Sequence, residues 1–215
     1  MPCSPDTAAA LITLSSLPIS ATQKLRADAR SSSPLRLTSH PRTFLGKLIT
    51  PAHNTVFMLL IIGLPIAVAV GGGKQPAWMR AWALSTPQDS VYGMTLMRGI
   101  AGVAFLGVWR SMGWILEHLG SQFHYIARRE SSKIVSTGPY AFVRHPMYTA
   151  LLAQHVLLSL MFWSYIPLGA LALSAGAFAI KVPIEEGIIE ADPAVGEEYK
   201  RYKEDVRWKV IPFVW

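Results

Sequence analysis

Charge and cysteine are what this chain has least of. Only 15% of its 215 residues are Asp, Glu, Lys or Arg, against roughly 25% in a soluble domain. The one cysteine, Cys3, excludes an intramolecular disulfide framework and any cysteine-based zinc site. It also stands at the wrong end of the chain for a prenylated C-terminal cysteine. No two histidines are spaced i, i+4 with an acid nearby, so no metal site is expected. The glycines at 93, 99, 102, 107 and 113 are not followed by the Lys-Ser/Thr of a phosphate loop. A basic stripe interleaved with aromatics is missing as well. The net charge of +7 therefore points to anionic lipid headgroups rather than nucleic acid. No internal repeat is evident.

What remains is apolar. Hydrophobic residues make up 51% of the chain and the mean hydropathy is +0.32, which places it in the membrane class. A first apolar run covers about 55–70, ends at Gly71-Gly72-Gly73, and is expected to begin near Ala52, because about 20 residues are needed to cross the hydrocarbon layer. A second covers about 91–119 and carries Arg98, Arg110 and Glu117, the last two spaced to form an intramembrane pair. Its glycines allow neighbouring helices to approach closely. A third and fourth, about 148–163 and 166–182, are joined by Ser164-Tyr165 and read as a tight helical hairpin, with Pro167 opening the second arm. His155 within the third run suits a helix–helix hydrogen bond.

The fold class expected is an all-α integral membrane protein of about four transmembrane helices. Residues 46–215 form the membrane domain. Residues 1–45, rich in Ser and Arg and poor in acids, are expected to be a disordered tail or a targeting peptide. Lys and Arg cluster in the N-terminal stretch (Lys24, Arg26, Arg30, Arg36, Arg42), in the loop with Arg128, Arg129, Lys133 and Arg144, and in the C-terminal tail. The positive-inside rule then places both termini in the cytosol.

Chemistry concentrates at the two ends of the hairpin. Gly138-Pro139-Tyr140 is a turn. Pro146 fits the first turn of a helix, whose free N–H groups favour an anionic group, with Arg144 and His145 just before it. At the far end, Lys181 and Glu185 share a helix face, followed by Glu186. A hairpin returns its ends to one side of the membrane, so the two segments should converge on a pocket lined by donors, acceptors and aromatic rings. A zwitterionic, amino-acid-like cofactor suits that lining. Taken singly, Arg144 would serve as a charge anchor, Tyr140 and Tyr148 as belt aromatics, and Lys181 as a snorkelling lysine.

Together, Arg144-His145-Pro146-x-Tyr148, Glu185-Glu186 about 35 residues later, Gly196-Glu197-Glu198-Tyr199-x-x-Tyr202 and the ending through Val206 and Ile211-Pro212 resemble the isoprenylcysteine carboxyl methyltransferase family over about 130–215. The resemblance implies an integral membrane enzyme, often of the endoplasmic reticulum, that methylates a lipid-borne acceptor with S-adenosylmethionine. The acceptor it implies is the C-terminal carboxylate of an S-prenylated cysteine on a protein or peptide. It puts the cofactor against Lys133, Ile134, Val135, Tyr140, His145, Pro146, Met147, Tyr148 and Glu185, gives Arg144 and Glu185 catalytic roles, and sets Lys181 on the substrate. The sequence departs from the family at Lys181, where an arginine is usual, so the charge is kept and the bidentate fork lost. It departs again at Gly187 and at Ala191-Asp192-Pro193. Three other readings stand beside this one. They are an N- or S-methyltransferase on phospholipid amines or small thiols, a sterol-reductase-like membrane enzyme, and a lipid-binding membrane protein.

Overall fold

A computed structural model of the chain describes residues 4–30, 43–86, 90–119 and 133–215, and for 18–30 the backbone alone. Cys3, Arg36, Arg42, Arg128 and Arg129, and the side chains of Lys24, Arg26 and Arg30, lie outside what is described. The described residues are helical, with one isolated bridge, Ala83 to Ser164, in place of any strand. Among the described residues, three helices are long and apolar enough to cross a membrane, and a fourth is apolar but shorter. The molecule is an all-α integral membrane protein.

Helix α1, Pro5–Arg30, replaces the expected tail. Ala9, Ala10, Thr13 and Ser16 recur on one face and are buried. Small side chains let that face approach closely: a Cβ added at Gly102 would lie 2.8 Å from Ile12 Cδ1. Thr13 and Ser16 turn their hydroxyls onto the carbonyls of Ala9 and Thr13, so burying them leaves no polar atom unmet. Composition alone reads such a Ser- and Ala-rich stretch as solvated, because Ser, Thr, Pro and charged residues interrupt its apolar ones.

Helix α2 is the first span, Phe44–Val70, with a π-turn at Leu59–Gly63. It starts earlier than expected, because Thr43 caps it by accepting from the Gly46 amide at 3.1 Å and its first turns carry polar residues that hydropathy discounts. It ends at Gly72 and Gly73, with φ of 67° and 82°, where glycine alone is unstrained. Helix α3 is Val91–Leu119. Arg110 and Glu117 on it are both exposed and do not pair; seven residues of helix separate them by about 10 Å.

Helices α4, Pro146–Phe162, and α5, Ile166–Glu190, form the hairpin. At 17 residues, α4 is about 25 Å long, short of the roughly 30 Å hydrocarbon layer. Trp163 closes α4 in the left-handed region at φ 50°. The tip is pinned by Leu84 N to Trp163 O at 3.0 Å and Tyr165 N to Trp82 O at 2.8 Å. His155 Nδ1 donates to Leu151 O at 2.7 Å, which leaves Nε2 to accept from the Ser174 hydroxyl at 3.2 Å and ties α4 to α5 as the sequence suggests. Helix α6, Gly196–Asp205, folds back over the end of α5.

The start of α1 and the C-terminal segment meet opposite ends of α4. Asp6 Oδ2 accepts from the Gln75 amide and Oδ1 from Gln75 Nε2, each at 3.0 Å, and Oδ1 also accepts from Arg98 Nη2. Arg98 Nε reaches Met161 O at 2.8 Å, at the C-terminal end of α4. The C-terminal residues instead meet the start of α4. Burial alone would raise the Asp6 pKa, but the donors from Arg98 and Gln75 hold it below the usual carboxylate value. A depressed carboxylate stabilises the fold above its unfolded pKa, and the contribution is lost as pH falls through the folded one. Asp6→Asn should therefore lower the stability by about 2 kcal/mol at pH 7, measured by thermal unfolding in detergent. The gap to the parent should close below about pH 4; a gap that does not change with pH would contradict the ionised pair.

Candidate functional site

The start of α4 and the end of α5 do converge. Tyr148 donates its hydroxyl to both Glu185 oxygens, at 2.7 Å each. Lys181, one turn before Glu185, places Nζ 3.6 Å from Glu185 Oε1 and 4.9 Å from the Tyr148 ring centroid. His145 stacks on Tyr148 with centroids 5.4 Å apart and ring planes 3° from parallel. Phe178 stacks on Tyr148 at 4.3 Å, and His53 of α2 meets Phe178 edge-on at 5.0 Å. Four rings from three helices thus fix the orientation of the phenol that holds Glu185.

Beside this lies a second polar knot. Arg144 Nε donates to Glu186 Oε1 at 2.8 Å, with both side chains 5% exposed or less. Its Nη1 donates to the carbonyls of Val206 at 2.6 Å and Arg207 at 2.9 Å. Glu186 also has His145 Nε2 at 3.3 Å, and Lys203 and Lys209 each at 3.9 Å. The backbone joins in: Arg144 N donates to Trp208 O at 2.9 Å and His145 N to Lys209 O at 2.8 Å. This two-rung ladder seats residues 206–210 on the start of α4. Burial first, then the Glu186 charge, pushes the Tyr199 phenol above its ordinary pKa.

The structure therefore groups Arg144, His145, Tyr148, Lys181 and Glu185 in one place. Tyr140 is buried beside them. Burial, and the neighbouring Tyr202 and Glu185, raise its phenol pKa, and its carbonyl accepts from the Tyr202 hydroxyl at 2.6 Å. The remaining residues pack elsewhere. Ile134 lies on the Tyr199–Tyr202–Val206 cluster, while Val135 and Met147 lie on the main core. Lys133 is exposed and Pro146 buried. Gly138, at φ 59°, lets the turn pass under His118 of α3, whose ring would lie 2.4 Å from a Cβ there. Spacing pointed to Glu185 and left Glu186 out of the site, yet Glu186 is the acid on which the cations converge. The only sign of it in sequence is the doubled acid at the end of an apolar run. The part played by Val206 to Lys209 has no side-chain signature, because it runs through backbone carbonyls.

Residues 94–191 match the model of the phospholipid methyltransferase family. The span is somewhat less than half of the chain, and it holds both ends of the hairpin. It is a likeness to membrane methyltransferases, the broad class that the hairpin motif also resembles. No curated protein matches the chain.

Removing one partner of a buried ion pair leaves the other uncompensated, at about 3–5 kcal/mol. Arg144→Ala should destabilise the protein by that order and speed amide exchange at Trp208 to Val210. The double change Arg144→Met/Glu186→Met should regain part of the loss. An Arg144→Ala protein with unchanged exchange there would show that the tail is held by other contacts.

Proposed function

We propose that the chain transfers a methyl group from S-adenosylmethionine to a lipid-borne acceptor, at the site built on Tyr148, Lys181 and Glu185. The observation that carries this is the buried Lys181–Glu185–Tyr148 group at the end of two apolar helices, in the span that matches the methyltransferase family. Polar groups placed there are costly unless used.

The residues suit the cofactor. When bound, S-adenosylmethionine supplies an electrophilic methyl group on a sulfonium, next to an ammonium and a carboxylate. Glu185 keeps lone pairs beyond those taken by Tyr148 and can accept from an ammonium or a ribose hydroxyl. The His145 and Tyr148 rings offer an aromatic lining that suits a cation. His145 is the N-cap of α4 and makes no side-chain cap; the Tyr148 and Thr149 amides donate to its carbonyl, and the helix start as a whole still favours an anionic group. Arg144 contributes by position. With Glu186 and two carbonyls engaged, it fixes His145 and the wall behind it rather than gripping a substrate.

For the acceptor, the prenylcysteine carboxylate remains the leading reading, on the strength of Lys181. That residue is 3% exposed, and its Glu185 contact of 3.6 Å is longer than a hydrogen bond. Its ammonium therefore keeps donor capacity for an incoming anion. A carboxylate acceptor is already ionised near neutral pH, so the protein need only align it and exclude water. Alignment of that kind contributes about 7–11 kcal/mol to lowering a barrier. The family match favours a second acceptor, the amine of a phospholipid headgroup. In that case Lys181 holds the phosphate, and Glu185 takes the proton the nitrogen loses.

Glu185→Ala and His145→Ala should each lower transfer by about 100-fold or more, with membrane insertion intact. Lys181→Arg should keep activity, and Lys181→Met should lose it. Transfer assayed on farnesylcysteine and on phosphatidylethanolamine separates the acceptors. With a carboxylate, kcat/KM stays flat from about pH 6 to 9, whereas an amine makes it climb with pH. Failure of the purified protein to bind S-adenosylmethionine would sink both readings.

A further inference from the structure

The last eight residues fold into a tight hook whose purpose the site chemistry does not explain. The amides of Lys209, Val210 and Ile211 all donate to Trp215 O at 3.0 Å, while Val214 N and Trp215 N return to Ile211 O at 3.1 and 2.9 Å. Inside the hook, Val210 is fully buried, and Trp215 packs on the cluster of Tyr148, Phe178 and Val182. Its outer side is the reverse. Phe213 is 86% exposed and Val214 75%. Phe213 also has φ 65°, a left-handed backbone that a bulky residue adopts only when its surroundings impose it. One side of the ring meets Trp208, with centroids 5.3 Å apart, and the rest of it is held outward with no protein cover.

Position and charge indicate what meets it. The Arg144–Trp208 and His145–Lys209 rungs anchor the hook where the apolar helix α4 begins and α5 ends. In a bilayer, the start of an apolar helix lies near the boundary between hydrocarbon and headgroups. Residues 206–215 carry Arg207 and Lys209 and no acid. An aromatic tip flanked by cations is the pattern that settles into an anionic headgroup layer.

We propose that the hook is a membrane-surface wedge. Phe213 and Val214 insert among the acyl-chain ends of the leaflet that faces the site, and Arg207 and Lys209 meet anionic phospholipid headgroups. The wedge holds the start of α4, and with it the Tyr148–Glu185 pair, at headgroup depth, where a lipid-borne group can reach it. The inference does not depend on the methyl-transfer reading, and its test needs no activity.

The full chain carrying Cys3→Ser and Phe213→Cys is labelled with an environment-sensitive fluorophore and reconstituted into phosphatidylcholine–phosphatidylserine vesicles. A second protein carries the label at Val214→Cys, which covers the case in which replacing Phe213 disturbs the hook. A third carries it at Glu197→Cys, on the polar face of α6. Labels at 213 and 214 should be blue-shifted and quenched by spin-labelled acyl chains, and the label at 197 should not. Omitting phosphatidylserine, or adding Arg207→Gln, should weaken the quenching. Labels at 213 and 214 that remain in water would overturn the proposal. So would shielding that appears in detergent and rises with protein concentration, since a second copy would then be the occupant. Shielding that requires an added apolar peptide would overturn it in favour of a protein partner.

Discussion

The buried ion pair of Arg144 and Glu186 is the constraint on which the rest of the site depends. It joins three parts of the chain far apart in sequence: the start of α4, the end of α5 and the segment after α6. Burying two charges costs several kcal/mol per ion, and their attraction offsets that only when the remaining hydrogen-bonding capacity is satisfied. Here it is. The carbonyls of Val206 and Arg207 take the second arm of the guanidinium, and His145, Lys203 and Lys209 surround the carboxylate. The pair therefore specifies one arrangement of the hairpin's ends. A shift of any of these three parts would leave a charge buried without a partner.

That arrangement divides labour between two adjacent acids. Glu186 faces cations on several sides and is structural, whereas Glu185 faces a phenol and a loosely held lysine. The difference follows from helix geometry. Neighbouring residues on a helix point about 100° apart, so one acid turns toward the C-terminal segment and the other toward Tyr148. The ring stack then matters more than its individual contacts, which are worth about 0.5–1.5 kcal/mol each. With Phe178 and His145 both stacked on the Tyr148 ring, its hydroxyl is held in one direction, and that direction is Glu185.

The sequence made the hairpin and its two ends legible because both rest on local rules. Pro146 and Pro167 mark helix starts, the apolar runs give lengths, and a hairpin must return to its side. Arg144, His145, Tyr148, Lys181 and Glu185 were all visible as residues, and the convergence of their segments followed from topology. What stayed hidden was non-local or carried by backbone. Nothing in the Val206 to Lys209 stretch reveals that its carbonyls cap an arginine more than 60 positions earlier. Helix α1 was missed for a related reason. Its buried face is built from Ala, Thr and Ser, which hydropathy scores as indifferent, and its anchor is a pair, Asp6 and Arg98, that neither partner announces alone.

That anchor also changes how the positive charges are read. Counting Lys and Arg places both chain ends on one side, but α1 runs alongside α3 in the same direction. Asp6 lies by Arg98, and Ile12 lies by Gly102. A helix that starts at the far end of the bundle and advances toward the site carries its later basic residues, Lys24, Arg26 and Arg30, toward the end where Lys203, Arg207 and Lys209 lie. The later part of α1 then shares an end of the bundle with the basic C-terminal segment, and its first turn lies at the other end. A stretch before the first long apolar run can thus have a direction of its own, which a count of positive charges does not carry.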